Sequence, residues 1–340
     1  MMNLADKKYS NFALVREMLR APAIIGAFDF EQTRQVAASV RKTGRFFITG
    51  EGSSRIFPSK SFICQMMESG GVPIMLATEG ARQAAEYDLS QWTVMGASNS
   101  GQTKELIALF QKLQDEKHPN LFGMTANAGT KITELADCIV LSCGKEEAVA
   151  ATMSVIEQAL VYHSIYVALT GCQCGCTANK SKAAELAERV LAPEIDHELI
   201  AKIAAAPMVY LIGRNNGVAE ELALKTCEIT RKKSQFLEGT LVVHGIEEVM
   251  HPDEVAIVVD PFEEDAPFIK KNLVDGVGMA VIAISSKPTI FPTVEIPSMK
   301  RYDPFFQLLA GWNLLVQTGV VCGVNIDKPK RARKVGNAFE

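Results

Sequence analysis

A protein that crosses a membrane on apolar helices is excluded at the outset: no run of apolar residues in the 340 is long enough to span a bilayer. The opening residues MMNLADKKYSNF lack the charged-then-apolar layout of a secretory signal, so a cytoplasmic location is expected. A basic excess is missing too. Thirty-five lysines and arginines face 39 aspartates and glutamates, a formal net charge of −4, so no bulk positive field draws nucleic acid. The glycine-rich turns carry no Gly-Lys-Ser/Thr, and none completes the three-glycine dinucleotide fingerprint. Eight cysteines are present, but only Cys172, Cys174 and Cys176 cluster, one residue apart. A tetrahedral site needs about four ligands, so reduced thiols in a loop are expected, with no metal and no cofactor.

What is there is apolar mass and alternation. Apolar residues make up 48% of the chain, enough at this length for the cores of two ordinary domains. Residues 1 to 43 read as helices, with Met18, Leu19, Ile24 and Ile25 on apolar faces, Pro22 as a break, and Val36 and Val40 four apart. From Arg45 onward strands and helices alternate. Strands are expected at 45–49, 72–76, around Val94 and Met95, at 121–125 and at 138–141. Helices are expected at about 58–69, 81–87, from Lys104, at 131–136 and at 146–170. A loop at 171–178 and a helix at 180–191, broken by Pro193, precede a restart. Strands at 208–212, 256–260 and 280–284 then alternate with helices at 218–229, 268–276 and 304–319. Near-continuous apolar strands point to parallel sheets covered on both faces, and the second half echoes the first. The expected fold is therefore α/β, with two tandem doubly wound domains. The divisions are a helical segment over 1–30, a first domain over 31–170, a linker over 171–192, a second domain over 193–325 and a tail over 326–340.

The stretch Trp92–Leu106, WTVMGASNSGQTKEL, runs from a buried strand through hydroxyl-rich residues into a helix. Such a junction leaves backbone N–H groups unpaired at the helix start, and these favour an anion. Ser98, Ser100 and Thr103 add uncharged donors. The same residues also suit simple helix capping. Gly50-Glu-Gly-Ser-Ser-Arg55 repeats the strand–turn–helix pattern with Ser53 and Ser54. Arg55 and Arg214 each follow such a turn and suit either a phosphate or carboxylate contact or a surface role.

Gly52-Ser53-Ser54 paired with Ser98-Asn99-Ser100-Gly101-Gln102-Thr103 resembles the sugar isomerase (SIS) domain. Two such domains resemble the isomerase half of glucosamine-6-phosphate synthase and the fructosamine-6-phosphate deglycases. The resemblance covers roughly residues 30 to 340. It implies phosphate binding by Ser53, Ser54, Ser98, Asn99, Ser100 and Thr103. Lys225-Thr-Cys-Glu228 is similar to the family's K-x-x-E pair, which implies that Glu228 moves the proton between C1 and C2. The resemblance further implies ring opening by His244, a closing-tail role for Lys334, and a homodimer with its active site at or near the subunit interface. Departures are visible. The family's histidine sits among charged neighbours before a proline, whereas Gly239-Thr-Leu-Val-Val-His-Gly-Ile246 is apolar and lacks that proline. The family's glutaminase domain has no counterpart here, so synthesis from glutamine is not expected.

Chemistry at C1–C2 of a sugar phosphate needs a phosphate clamp, a group that opens the ring or releases the leaving group, and a base for the C–H proton. Histidine titrates near neutrality, and a partly desolvated glutamate is a usable base. Lys225 and Glu228, three apart, also suit a plain surface ion pair. His244, after an apolar run, suits a core or turn position. Lys334 lies in a basic run that suits a solvated tail. His163 and His251 read as structural, and Glu146 and Glu147 as charges in the first turn of the 146–170 helix. The expected partner is a small sugar phosphate, with no nucleic acid and no membrane. The expected function is a phosphosugar enzyme, with a deglycase first and an isomerase, a deaminase or a non-catalytic sugar-phosphate sensor as alternatives.

Overall fold

Phe46 and Phe47 set the plan of the first sheet, because neighbouring strand residues face opposite sides. In a computed structural model that describes residues 6–172, 175 and 177–333, both rings are buried. Phe46 meets Phe62 edge to face and lies near Tyr162. Phe47 packs with Val94, Leu106, Phe110 and Ile132. A strand buried on both faces must be central, and this one, β1 (Arg45–Gly50), is. Its sheet adds β2 (Met75–Gly80), β3 (Thr93–Ala97), β4 (Leu121–Thr125) and β5 (Asp137–Val140) in the order β2-β1-β3-β4-β5, all parallel. The Phe46 side is covered by α5 (Ile56–Ser69) and α9 (Met153–Thr170). The Phe47 side is covered by α6 (Ala81–Ala84), α7 (Lys104–Asp115) and α8 (Lys131–Leu135).

The chain divides into two compact units. The first, Ala23–Glu147 with Ala151–Lys182, holds this sheet and α4 (Arg34–Thr43). The second joins the N-terminal residues as far as Pro22, Ala148–Ala150 and Ala183–Ala332. It includes α1 (Lys7–Ser10) and α2 (Ala13–Met18). Between them, α3 (Ala21–Ala27) starts at the division, with Pro22 in its first turn, where a missing N–H costs nothing. The Asp327 carboxylate accepts hydrogen bonds from the amides of Ala13 and Leu14 at 2.9 and 2.8 Å. It thereby caps α2 from the far end of the sequence.

The second unit carries β6 (Met208–Gly213), β7 (Lys233–Glu238), β8 (Val255–Val259), β9 (Ala280–Ser285) and β10 (Thr293–Glu295), ordered β7-β6-β8-β9-β10 and all parallel. Counted along each unit, both sheets have the order 2-1-3-4-5. Around the second lie α10 (Lys180–Leu191), which straddles the division, α11 (His197–Ala205), α12 (Val218–Lys225), α13 (Ala266–Ile269) and α14 (Asp303–Val321). A Cβ at Gly311 of α14 would overlap Leu222 of α12, so the bare backbone there is what lets the two helices meet.

Several expected elements move. The strand expected at 72–76 is β2 at Met75–Gly80. Its register is dictated by β1, Arg45 pairing with Met75 and Gly50 with Gly80, so Thr78 and Glu79 are strand residues. The helix expected from Glu146 starts at Met153. The helices expected at 218–229 and 268–276 continue as π-helical turns, Thr226–Thr230 and Lys270–Val277. Strands β7 and β10 have no counterpart in the expectation: both are edges, β7 half exposed and β10 three residues long. Helix α11 was signalled by Asp196, whose side chain caps it, and by buried Leu199, Ile200 and Ile203, but falls just past the break at Pro193.

Gly50 lets β1 approach β3: a Cβ there would lie 2.8 Å from the Ala97 carbonyl oxygen, a backbone atom that cannot move alone. Gly50→Ala should lower unfolding stability by about 1–3 kcal/mol, the usual cost of overpacking, read from urea denaturation.

Candidate functional site

In a 2-1-3-4-5 sheet the chain leaves the first strand to one side and the third to the other. A crevice therefore opens at the C-terminal ends of those two strands. In the first unit these are β1 and β3, hydrogen-bonded neighbours in which Gly50 pairs with Ala97. Both hydroxyl-rich turns leave from this place. After β1 comes a 3₁₀ turn, Gly52–Ser54, and then α5. After β3 comes Ser98–Thr103, and then α7. The structure thus brings Ser53, Ser54, Ser98, Asn99, Ser100 and Thr103 to adjacent strand ends.

Neither Arg55 before α5 nor Thr103 before α7 makes a side-chain cap hydrogen bond. The Thr103 hydroxyl instead meets that of Ser98 at 2.8 Å. Ser100 Oγ accepts from the Gln102 amide at 3.2 Å, and Ser54 Oγ accepts from Gln158 Nε2 at 3.4 Å. Two helices of 14 and 12 residues begin at this crevice, and their first amides and dipoles favour an anion there. Gly101 is at φ +66°, and a Cβ would collide with the Thr130 hydroxyl, so this turn requires glycine.

Glu146 fixes the second turn, and sequence reasoning missed how. It is not in the first turn of a helix. It lies seven residues before α9, almost wholly buried, and folds back onto that helix's start. Its carboxylate accepts from Thr152 N at 2.8 Å, Ser154 N at 3.3 Å and Ser154 Oγ at 2.7 Å, and from Asn99 Nδ2 at 3.0 Å. Asn99 is held at its backbone as well: its main-chain carbonyl accepts from the Ala126 amide at 3.1 Å and Asn127 Nδ2 at 2.8 Å. The affinity of the dipole for a carboxylate was legible; the long reach from outside the helix was not.

The second unit carries the Lys225–Glu228 pair, and it is not a surface ion pair. Lys225 is fully buried; its Nζ lies 2.7 Å from Glu228 Oε2 and 3.3 Å from Glu221 Oε1, and Glu221 is fully buried too. Burial alone would lower the ammonium's pKa, but the two carboxylates outweigh it and hold the group above its ordinary range. Glu228 keeps about a quarter of its side chain exposed. It sits in the π turn that interrupts the end of α12, a distortion common at functional sites. The third member, Glu221, was missed although it stands four residues before Lys225, the spacing at which helical side chains meet.

His244 is exposed, just after the 3₁₀ turn Leu241–Val243, and its ring makes no hydrogen bond among the described residues. Glu228 precedes β7 and His244 follows it. Six residues of strand separate the two ends, roughly 20 Å. One chain therefore does not bring Glu228 and His244 together. Lys334, Cys174 and Cys176 lie outside the described residues. Among those described, no group of three His, Cys, Asp or Glu side chains is placed to hold a metal ion, and no helix is long and apolar enough to cross a membrane. His163 is buried, its Nδ1 2.8 Å from Gln65 Oε1.

No protein-family model matches the chain. It is 23% identical over 352 residues to glutamine–fructose-6-phosphate aminotransferase (isomerizing) of Methanocaldococcus jannaschii, an alignment covering 96% of this chain and 31% of that one. The chain thus spans about a third of the length of that relative. Among solved structures it is similar to the C-terminal domain of glucosamine-fructose-6-phosphate aminotransferase from Francisella tularensis, with TM-score 0.77 and 15% identity over 95% of this chain and 100% of that one. It is also similar to tagatose-6-phosphate ketose/aldose isomerase from Escherichia coli, with TM-score 0.76 and 14% identity over 96% and 99%. The fold is the one these proteins share: two parallel five-stranded sheets flanked by helices.

Lys225→Met should lower stability by about 3–5 kcal/mol, because it leaves two carboxylates facing each other without their cation. The sign with pH follows from the raised lysine pKa. The ammonium's contribution is fully present below 10.5, its ordinary value, and is lost as pH rises through the higher folded-state value. Denaturation curves from neutral to alkaline pH should show this alkaline loss in the parent and not in the variant.

Proposed function

We propose that the protein is a phosphosugar enzyme that moves a proton between C1 and C2 of its substrate. The observation that carries this reading is the pairing of two uncapped helix starts with hydroxyl turns at one switch point. That arrangement suits a phosphate ester. The similarity to aminotransferase and isomerase structures supports the same substrate class.

Glu228 is the proposed base. Lys225 holds the Glu228 carboxylate in place, while its exposed edge remains accessible. The first-choice reaction is deglycation of a fructosamine 6-phosphate. Glu228 takes a proton from C1 and returns it to C2, which turns the C1 amine into an imine. Water then adds at C1, the C–N bond breaks, and the products are the free amine and a hexose 6-phosphate. A second reading, ketose–aldose isomerisation, uses the same proton transfer with no leaving amine and is favoured by the similarity to the tagatose-6-phosphate isomerase. Deamination of an aminosugar phosphate is a third outcome of the same assay.

In this reading the two SIS-like units act as a tandem pair and the enzyme is a homodimer. His244 lies a strand's length from Glu228, so it opens the ring of a substrate bound by a second copy. Lys334 is proposed as the residue that closes over the sugar. The site needs no cofactor, and the protein works in the cytoplasm.

Released amine and isomerised sugar should be assayed on fructosamine 6-phosphates, hexosamine 6-phosphates and plain ketose phosphates. Glu228→Gln should lower kcat by about 10²–10⁴-fold, the range for loss of a general base, with hexose 6-phosphate binding retained. Ser98→Ala and Ser100→Ala should act mainly on KM for phosphorylated substrates. Undiminished turnover in Glu228→Gln overturns the base assignment. Tight binding without turnover on any member of the panel favours a sensor.

A further inference from the structure

The second unit repeats the 2-1-3-4-5 order, so it has a crevice of its own, at the C-terminal ends of β6 and β8. Its chemistry differs from that of the first. Arg214 follows β6 and Asp260 follows β8, and the guanidinium donates to both the carbonyl and the carboxylate of Asp260, Nη1 lying 2.6 Å from Oδ2. The guanidinium also stacks on the Phe262 ring, 4.3 Å from its centroid. Asp260 is at φ +49°, a conformation that aspartate and asparagine tolerate better than most residues.

Arg214 and Asp260 line a cavity of about 560 Å³. Glu263 and Lys287 stand at its rim, 3.7 Å apart and mostly exposed, and Ile290 with neighbouring prolines supplies an apolar wall. The volume is in the range of small-molecule sites. The lining holds two cations and two carboxylates. A phosphate dianion would meet Asp260 and Glu263, and a plain amine would meet Arg214 and Lys287. A ligand carrying both charges meets a partner for each.

We propose that this cavity binds a free α-amino acid with an apolar side chain. Its carboxylate faces Arg214 and Lys287, its ammonium faces Asp260 and Glu263, and its side chain lies against Ile290. The proposal does not rest on the phosphosugar reading, and binding is measured without turnover.

The test is isothermal titration calorimetry of the full chain with L-leucine, 4-methylpentanoate, 3-methylbutylamine and glucose 6-phosphate. Leucine should give saturable heat, and loss of either charged group should weaken binding at least about tenfold, a difference of ~1.4 kcal/mol. Asp260→Asn keeps a residue that tolerates the backbone conformation, and Lys287→Ala alters a side chain 78% exposed, so both variants should fold. Each should weaken leucine binding severalfold. The proposal is overturned if leucine gives no saturable heat, if either single-charge analogue binds as tightly, if neither variant changes leucine affinity, or if glucose 6-phosphate displaces leucine in competition.

Discussion

The buried carboxylate of Glu146 is the interaction on which the geometry of the candidate phosphate cradle depends. A carboxylate taken out of water is costly unless donors surround it. Here they come from two backbone amides, a serine hydroxyl and the amide of Asn99. Hydrogen bonds to a charged group contribute about 1.5–3 kcal/mol each, so Asn99 is held firmly, and with it the turn between Ser98 and Thr103. These bonds within the protein fix the turn's shape, so little ordering is left to offset when an anion binds.

The two units solve the same topological problem with different chemistry. Each sheet reverses its strand order between its first and third strands, and each leaves a crevice there. In the first unit, hydroxyl-rich turns and the starts of α5 and α7 meet at the strand ends. In the second, the crevice is occupied by an arginine already paired with an aspartate. Fold similarity therefore does not transfer ligand class from one unit to the other, and the side chains at the strand ends decide it.

The central strands were legible because strands buried on both faces are near-continuous apolar runs, as in Phe46-Phe-Ile48 and Val255–Val259. Edge strands were not: Lys233–Glu238 carries one fully buried residue, Leu237, and has no apolar signature. The start of α9 was misplaced because Glu146 looks like a first-turn residue and serves the same helix from outside it. The two hydroxyl turns could be named from sequence, but their adjacency follows from β1 pairing with β3, a contact across more than forty residues that no local pattern encodes. Similarly, the spacing of Lys225 and Glu228 was plain, whereas the full burial of Lys225 is a tertiary property that no local pattern encodes. The separation of Glu228 from His244 by the length of β7 became visible only once that strand was placed.

The central claim is that the β1 and β3 turns together hold a phosphate ester. A crystal structure grown with a hexose 6-phosphate tests it most directly. The account predicts phosphate density against Ser53, Ser54, Ser98, Ser100 and Thr103. A phosphate bound elsewhere, with both turns unoccupied, would contradict it.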